Sequence, residues 1–409
     1  LLNAIWVGLL LAGLITAAIK SAWSGDATIL DAVLQAIFAT SKQAFEIALG
    51  LTGALTFWLG ILKIGEQSGF IRQLTRGLAP LFRRLMPEIP PEHPALGAIV
   101  MNLSANVLGL DNAATPLGIR AMQELQGLNP TPGRASNAQI LFFVLNASSV
   151  TLFPLSILTF RSLMGAEYPA DVFIPILLAT FCSTLTGLLS VAYMQRLRLF
   201  EPVTLAYLGG MTALAAGLAW YLLSLDQEIM QQRSANLSSL ALLGLIALFL
   251  VAAVYRGVDA YAAFIEGAKE GFHTAITIVP YLVAMLVAVA ILRASGLLEL
   301  TADALRALAT ALGLDTRFVD ALPTALIKPF SGSGARAMML DTMSSFGVDS
   351  FQARLAALIQ GSTETTFYVL AVYFGAVGVR NVRHAVGCAL LADLAGVVAA
   401  IFLAYRFFG

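Results

Sequence analysis

Stretches of about twenty apolar residues recur along the whole chain, and no other feature limits its fold so tightly. They run over 2–20, 44–64, 138–162, 170–194, 203–223, 238–255, 274–293, 352–378 and 385–407. In hydrocarbon every backbone N–H and C=O must be satisfied within the protein, which leaves helices or closed barrels. Runs this long without period-two alternation select helices. Charged residues are 12% of the chain, about half of what a soluble domain carries. The expectation is therefore an all-α, multi-pass integral membrane protein embedded in a lipid bilayer. Its 24 basic and 24 acidic residues balance, so no polybasic face points to nucleic acid.

Four further stretches mix charge into an apolar pattern: 27–43, 66–86, 258–272 and 297–312. Arg72, Arg76, Arg83 and Arg84 stand among leucines in the second of these. Such patterns predict helices lying in the membrane interface. Residues 1–19 read as a first span, being apolar for too long to suit a cleaved leader and lacking a small-residue cleavage signal.

Polar breaks interrupt the oil. In the first half they hold Asn102, Ser104 and Asn106, then Asp111, Asn112 and Thr115, then Asn146, Ser148, Ser149 and Thr151. In the second half they hold Lys328, Ser331, Ser333 and Arg336 around a Ser-Gly-Ser-Gly run, then Gln360, Ser362, Thr363, Glu364 and Thr365. Irregular polar backbone survives at membrane depth only inside protein or beside a water-filled cavity. Segments 95–126 and 318–346 read as re-entrant helical hairpins with these breaks at their tips. Two short helices joined by an exposed loop is the other reading.

The halves correspond. An offset of 227 joins Lys42 to Lys269, Phe45 to Phe272 and Ser68-Gly69 to Ser295-Gly296; an offset of 214 later joins Asn146 to Gln360. The shortening matches Pro-rich connectors near 87–94 and 129–133 in the first copy. The bases at Arg196, Arg198, Arg256, Arg380 and Arg383 belong inside with those of 66–86, and Asp226 with Glu228 outside. On that count the copies are inverted. The division is 1–200, a linking span in 201–236, and 237–409, with about nine spans, two re-entrant hairpins and interfacial helices.

The residues allow definite chemistry. Ser331-Gly332-Ser333-Gly334 opens a helix expected over 335–346, whose first N–H groups suit an anion. Lys328 and Arg336 flank it. A flexible turn with two snorkelling bases fits equally simple rules. Glu364 is a carboxylate at span depth, where charge needs a partner. Lys328, Arg336, a sodium ion or a proton could serve, or a permanent salt bridge could lock the hairpin. Val150 occupies its place in the first copy. Asp111 reads as a helix N-cap or as a ligand. Amides and hydroxyls at the remaining positions either bind solute or join helices. No His-x-x-x-His pair and no Gly-x-Ser-x-Gly occur, so neither a metal centre nor nucleophilic catalysis is expected, and no cofactor. Cys182 and Cys388 read as reduced packing residues.

Longer motifs carry a resemblance. Asn106-Val-Leu-Gly-Leu-Asp111-Asn112-Ala-Ala-Thr-Pro116-Leu-Gly118, followed by Leu145-Asn-Ala-Ser-Ser-Val-Thr-Leu-Phe-Pro154, is similar to the spore maturation protein A family. Pro329-Phe-Ser-Gly-Ser-Gly-Ala-Arg336, then Asp349-Ser-Phe with Arg354, then Ile359 to Phe374, resembles the spore maturation protein B family. The chain looks like the two joined head to tail. Both belong with the nucleoside-recognition or gate type of membrane domain, seen also in concentrative nucleoside carriers and in the membrane part of ferrous iron permeases. The resemblance implies a bacterial cytoplasmic-membrane protein, not an enzyme, handling a small polar solute, and a homo-oligomer joined through its outer spans. Transport by alternating access, a passive channel, and a non-transport role in envelope or spore maturation all remain open.

Overall fold

A computed structural model describes residues 2–90, 92–107, 111–148 and 152–409, with side chains from residue 6 onward and, past the first hairpin tip, from residue 114. The side chains of Asp111 and Asn112, and Ser149, Val150 and Thr151 altogether, lie outside the described residues.

The described residues are helical almost throughout. The first half comprises α1 (Leu2–Ser24), α2 (Thr28–Gln67), α3 (Phe70–Leu85), α4 (Pro94–Val107), α5 (Asp111–Gly127), α6 (Asn137–Ala147), α7 (Leu155–Leu163) and α8 (Phe173–Gln195). Helix α9 (Pro202–Leu223) stands between the halves. The second half comprises α10 (Gln227–Arg256), α11 (Ala260–Ala294), α12 (Leu297–Ala311), a 3-10 turn at Val319–Ala321, α13 (Leu322–Ile327), α14 (Gly332–Phe346), α15 (Phe351–Ser362), α16 (Thr366–Ala376) and α17 (Ala385–Phe408). Among the described residues seven helices are long and apolar enough to cross a membrane: α1, α2, α8, α9, α10, α11 and α17. Many apolar side chains on them face outward, among them Leu214 at 76% exposure and Val254 at 80%, as lipid-facing positions require.

The structure redraws several boundaries. Stretches 27–43 and 44–64 form one helix, α2, and 258–272 and 274–293 form another, α11. Their polar residues pair along the helix surfaces: Lys63 Nζ reaches Glu66, Glu266 and Glu270 at 3.1–3.4 Å. Conversely, 138–162 and 352–378 are each two helices. The first is interrupted between α6 and α7, where Pro154 precedes α7, and the second at Thr363–Thr365. Helix α14 begins at Gly332 rather than Ala335, because Ser331 caps it by accepting from the Gly334 N–H. The expected boundary at 236/237 falls inside α10.

Repeat-equivalent positions have equivalent geometry. Gly69 and Gly296 both adopt left-handed backbone, at φ 74° and 78°. The serine before each donates back to its own helix, Ser68 to Gly65 O at 3.0 Å and Ser295 to Leu292 O at 2.9 Å. Ser136 and Ser350, joined by the offset of 214, both cap their helices. Helices α2 and α11, themselves equivalent, pack antiparallel: Gln67 meets Glu266, while Gly271 lies against Leu55. Antiparallel packing of equivalent helices requires the axis relating the halves to run perpendicular to them, which is the geometry of an inverted repeat. The halves are also interlaced. Helix α1 packs on α11, where Trp6 Nε1 donates to Ala284 O at 3.0 Å, and α10 packs on α2 through Phe249 against Gly65.

The two hairpins, α4–α5 and α13–α14, enter from opposite ends, and the second tip packs at Gly334 against Met285 of α11. Each tip is tied to a helix break by one backbone bond. Leu152 N donates to Val107 O at 3.0 Å in the first half, and Phe367 N to Pro329 O at 2.8 Å in the second. The breaks are joined to each other where Glu364 N donates to Ala147 O at 2.9 Å.

Candidate functional site

Four interrupted segments thus converge at the centre of the molecule. Helices α4, α6, α13 and α15 end there, while α5, α7, α14 and α16 begin there. Carbonyl and N–H ends of helix dipoles consequently face one another across the site, offering partial charge of both signs to a ligand.

Around this crossing lies a cavity of about 690 Å³. Asn106, Thr115 and Asn146 line it from the first half, and Ser331, Ser333, Arg336, Glu364 and Thr365 from the second. A smaller cavity of about 180 Å³ lies against α2 and α7, with Lys328, Gln360 and Thr363 on its polar side. Gly332, Arg336, Glu364 and Thr365 border both cavities, so one thin wall of backbone and two charged side chains separates them.

That wall depends on glycine. A Cβ on Gly332 would stand 2.7 Å from Thr365 Oγ1, and one on Gly334 would stand 2.7 Å from Ile327 and Met285 side chains. The tip packs as closely as it does because these positions have no side chain. Ser331 Oγ lies 3.2 Å from Ser333 Oγ, and Phe330 stacks on Phe367 with centroids 5.0 Å apart. Arg336 sits over the Phe160 ring at 5.5 Å, so its guanidinium is held flat at the wall. Glu364 is half-buried at the α15–α16 break.

On the neutral side, Asn146 accepts at Oδ1 from Asn106 Nδ2 at 2.7 Å and from the Tyr373 hydroxyl at 3.0 Å. Its own amide donates to Phe142 O at 2.9 Å, which fixes the side chain's orientation. Asn102 stands one layer behind, donating to Ala114 O and to the Tyr373 hydroxyl. Asn102, Ser104, Ser148 and Ser362 are all fully buried and line neither cavity. Ser148 and Ser362 donate to carbonyls in their own helices, and Ser104 faces Thr75 at 3.4 Å.

Several lining groups have no counterpart among the candidates read from sequence: Tyr281, Phe330, Phe367, Tyr368 and Tyr373. Phe330 and Phe367 stand beside the hairpin tip, and Tyr373 reaches Asn146 on the neutral side. Within apolar spans an aromatic residue is the ordinary packing choice, so position relative to the breaks was the one available signal. Tyr368 and Tyr373 follow Glu364 directly in α16.

Comparison with known proteins agrees with this plan of two joined halves. The chain is 39% identical to spore maturation protein A of Bacillus subtilis over 193 residues, which cover 47% of this chain and 95% of that protein. It is 46% identical to spore maturation protein B of the same organism over 175 residues, covering 42% of this chain and 97% of that protein. No solved structure matches. The family model described as "Gate: Nucleoside recognition" matches residues 48–166 and 275–380, more than half of the chain and one segment in each half. The chain therefore belongs to the gate family of nucleoside-recognition membrane domains.

Proposed function

We propose that the protein moves a small polar solute across a bacterial cytoplasmic membrane by alternating access. The observation that carries this reading is the central cavity, built from the breaks of both inverted halves and bordered by Arg336 and Glu364. A half-buried guanidinium and carboxylate on one wall suit a solute carrying both charges, or one rich in hydrogen-bonding groups. The aromatic side chains that line the cavity suit a planar or apolar portion. The family's description supports a nucleoside-like solute among these, and the relatives' names describe a process rather than a ligand.

The two hairpins with their attached breaks are the moving parts in this reading, and α2, α11, α8 and α17 are the scaffold. Two cavities separated by one thin wall allow the solute to be exposed to either side in turn. Positive-inside counting places the Arg380 end in the cytoplasm.

A thermal-unfolding panel of nucleosides, amino acids and small carboxylates tests the proposal on the full-length protein. At least one class should raise the melting temperature saturably. Glu364→Gln should weaken that ligand by about tenfold or more, equivalent to about 1.4 kcal/mol. If no compound in the panel shifts the wild-type protein, the transport reading fails. Uptake against a gradient that persists unchanged in Glu364→Gln would remove Glu364 from the coupling step.

A further inference from the structure

One buried carboxylate stands on neither cavity wall. Asp393 is 6% exposed, in the first half of α17, and its helix carries no other charge but Arg406 near the far end. Its Oδ2 accepts from Thr366 Oγ1 at 2.7 Å, at the first residue of α16. Its Oδ1 is buried with no hydrogen-bond partner among the described residues. One turn along the same face, a Cβ on Gly396 would stand 2.8 Å from Thr363 Cγ2, 3.2 Å from Ser183 Cβ and 3.3 Å from Ser362 Oγ. The hydroxyl of Ser183 is likewise buried and unpartnered among the described residues. Asp393 therefore faces the back of the α15–α16 break among hydroxyl side chains.

The neighbouring charges are few. Helices α6 and α8, packed on α17, contain no Asp, Glu, Lys, Arg or His. Arg354 on α15 is held at the far end by Asp171. Glu228, Arg233 and Arg256 of α10 lie toward its ends, α16 supplies only the phenols Tyr368 and Tyr373, and the break before it carries Glu364, which borders both cavities. On α17 itself Cys388, Tyr405 and Arg406 flank the position, with His384 just before the helix. Lys328, 5% exposed at the tip of the α13–α14 hairpin, is the cation that this tip brings to the break.

Leaving a buried carboxylate oxygen without a donor is costly, and a charge in the membrane interior needs a partner. Lys328 is carried by the hairpin tip that is tied to the start of α16, where Phe367 N donates to Pro329 O next to Thr366. We propose that Asp393 is a cation-exchange site. It holds Lys328 in the conformation described and takes one small monovalent cation, a proton or a sodium ion, when the hairpin tip withdraws. In the proton case an O–H bond forms at the unpartnered Oδ1, and the proton comes from solvent entering behind the break. In the sodium case Oδ1 and the hydroxyl oxygens of Thr366 and Ser183 supply ligands. Exchange of this kind would couple hairpin movement to an ion gradient. That coupling role rests on the transport reading, whereas the binding itself does not.

The test uses thermal unfolding of the full-length protein with no solute present. One arm titrates sodium against choline at constant ionic strength and alkaline pH, and the other varies pH without sodium. The wild-type protein should respond in at least one arm, and the responding arm identifies the ion. Asp393→Asn should abolish that response. Lys328→Met, by removing the competing ammonium, should tighten the apparent cation affinity about tenfold. Should Asp393→Asn fail to fold, the neutral pair Lys328→Met/Asp393→Asn restores charge balance and should also give no response. A wild-type protein silent in both arms, a response that survives loss of Asp393, or a midpoint unmoved by Lys328→Met overturns the site. Failure of the transport reading looks different: a cation response present, with no solute-dependent shift.

Discussion

Arg161 shows how much a single residue can be asked to hold. It is fully buried, and it donates to Asp171 at 2.9 Å, to Asp349 at 3.0 Å, to Val348 O at 2.9 Å and to Pro169 O at 3.3 Å. These acceptors belong to the α7–α8 connection of one half and the α14–α15 connection of the other. Arg354 completes the group through Asp171 at 2.8 Å. Only a guanidinium presents enough donors in fixed directions to serve all of these at once. At the pseudo-equivalent junction Arg383 donates to Ala135 O and Asn137 Oδ1, Asn381 exchanges backbone bonds with Ala135 and Gly133, and the acid there, Glu88, accepts from Asn137. Removing Arg161 would leave two carboxylates near one remaining arginine. Arg161→Ala should therefore cost about 3–5 kcal/mol, toward the lower figure because Arg354 stays on Asp171. Arg161→Lys should recover only part of that loss. Denaturation of the purified protein in detergent measures both, and an Arg161→Ala variant as stable as wild type would show that the group is solvated and not structural.

At the scale of elements, the crossing of α2 and α11 sets the frame on which the hairpins rest, and glycine sets how close they come. A Cβ on Gly267 would stand 2.3 Å from Leu59 O and 2.5 Å from Lys63 Cβ, and one on Gly271 would stand 2.5 Å from Leu55 O. These are backbone contacts and cannot be relieved by a rotamer change. Gly267→Ala and Gly271→Ala should each destabilise by about 1–3 kcal/mol, while Gly209→Ala on α9, with open space around it, should not. Comparison of the three melting temperatures checks the ranking. The same helices show what could be read beforehand. The repeat, the hairpins and the breaks were legible because glycine, proline and hydroxyl residues cluster where helices must stop. Whether 27–43 and 44–64 were one helix was not legible, because Lys42 and Glu46 mark an interface in composition while pairing along one continuous helix at 3.8 Å. The continuity of 352–378 was misleading in the opposite sense: Phe367 to Tyr373 stays apolar beyond Thr365, and hydropathy does not register a backbone that unwinds for three residues. Among the candidate site residues, charge and hydroxyl content singled out Arg336, Glu364, Ser331 and Asn146, which line the central cavity, but composition alone could not separate these from Ser362 or Asn102, which face helices instead.

Across the whole molecule the charges segregate by end, and by the positive-inside rule this predicts one orientation in the bilayer. Arg84 pairs with Glu201, Gln195 reaches Asn137 O, and Arg383 reaches Asn137, so these connections share one end with the neighbouring Arg196, Arg198 and Arg380. Arg256, which follows the same side of α2, stands against Gly69 at the start of α3. At the opposite end the arginines are matched by acids: Arg161 by Asp171 and Asp349, Arg293 by Asp341 and Glu299, Arg306 by Asp303 and Asp320, and Arg317 by Asp315. The retained excess of base is thus confined to the first end, which positive-inside insertion places in the cytoplasm. Aromatic side chains exposed near both ends, Trp23 and Trp220 on one and Tyr193 and Tyr255 on the other, mark the two interfaces. In this orientation the α4–α5 hairpin enters from the cytoplasmic side and the α13–α14 hairpin from the outside. Single cysteines in a Cys182→Ser/Cys388→Ser background test it directly. Glu228→Cys should react with a membrane-impermeant maleimide in intact cells, and Arg198→Cys should react only after permeabilisation. The reverse pattern would invert the molecule in the membrane and exchange the sides from which the two hairpins enter. Equal labelling of both would mean that the charge segregation does not fix a single orientation.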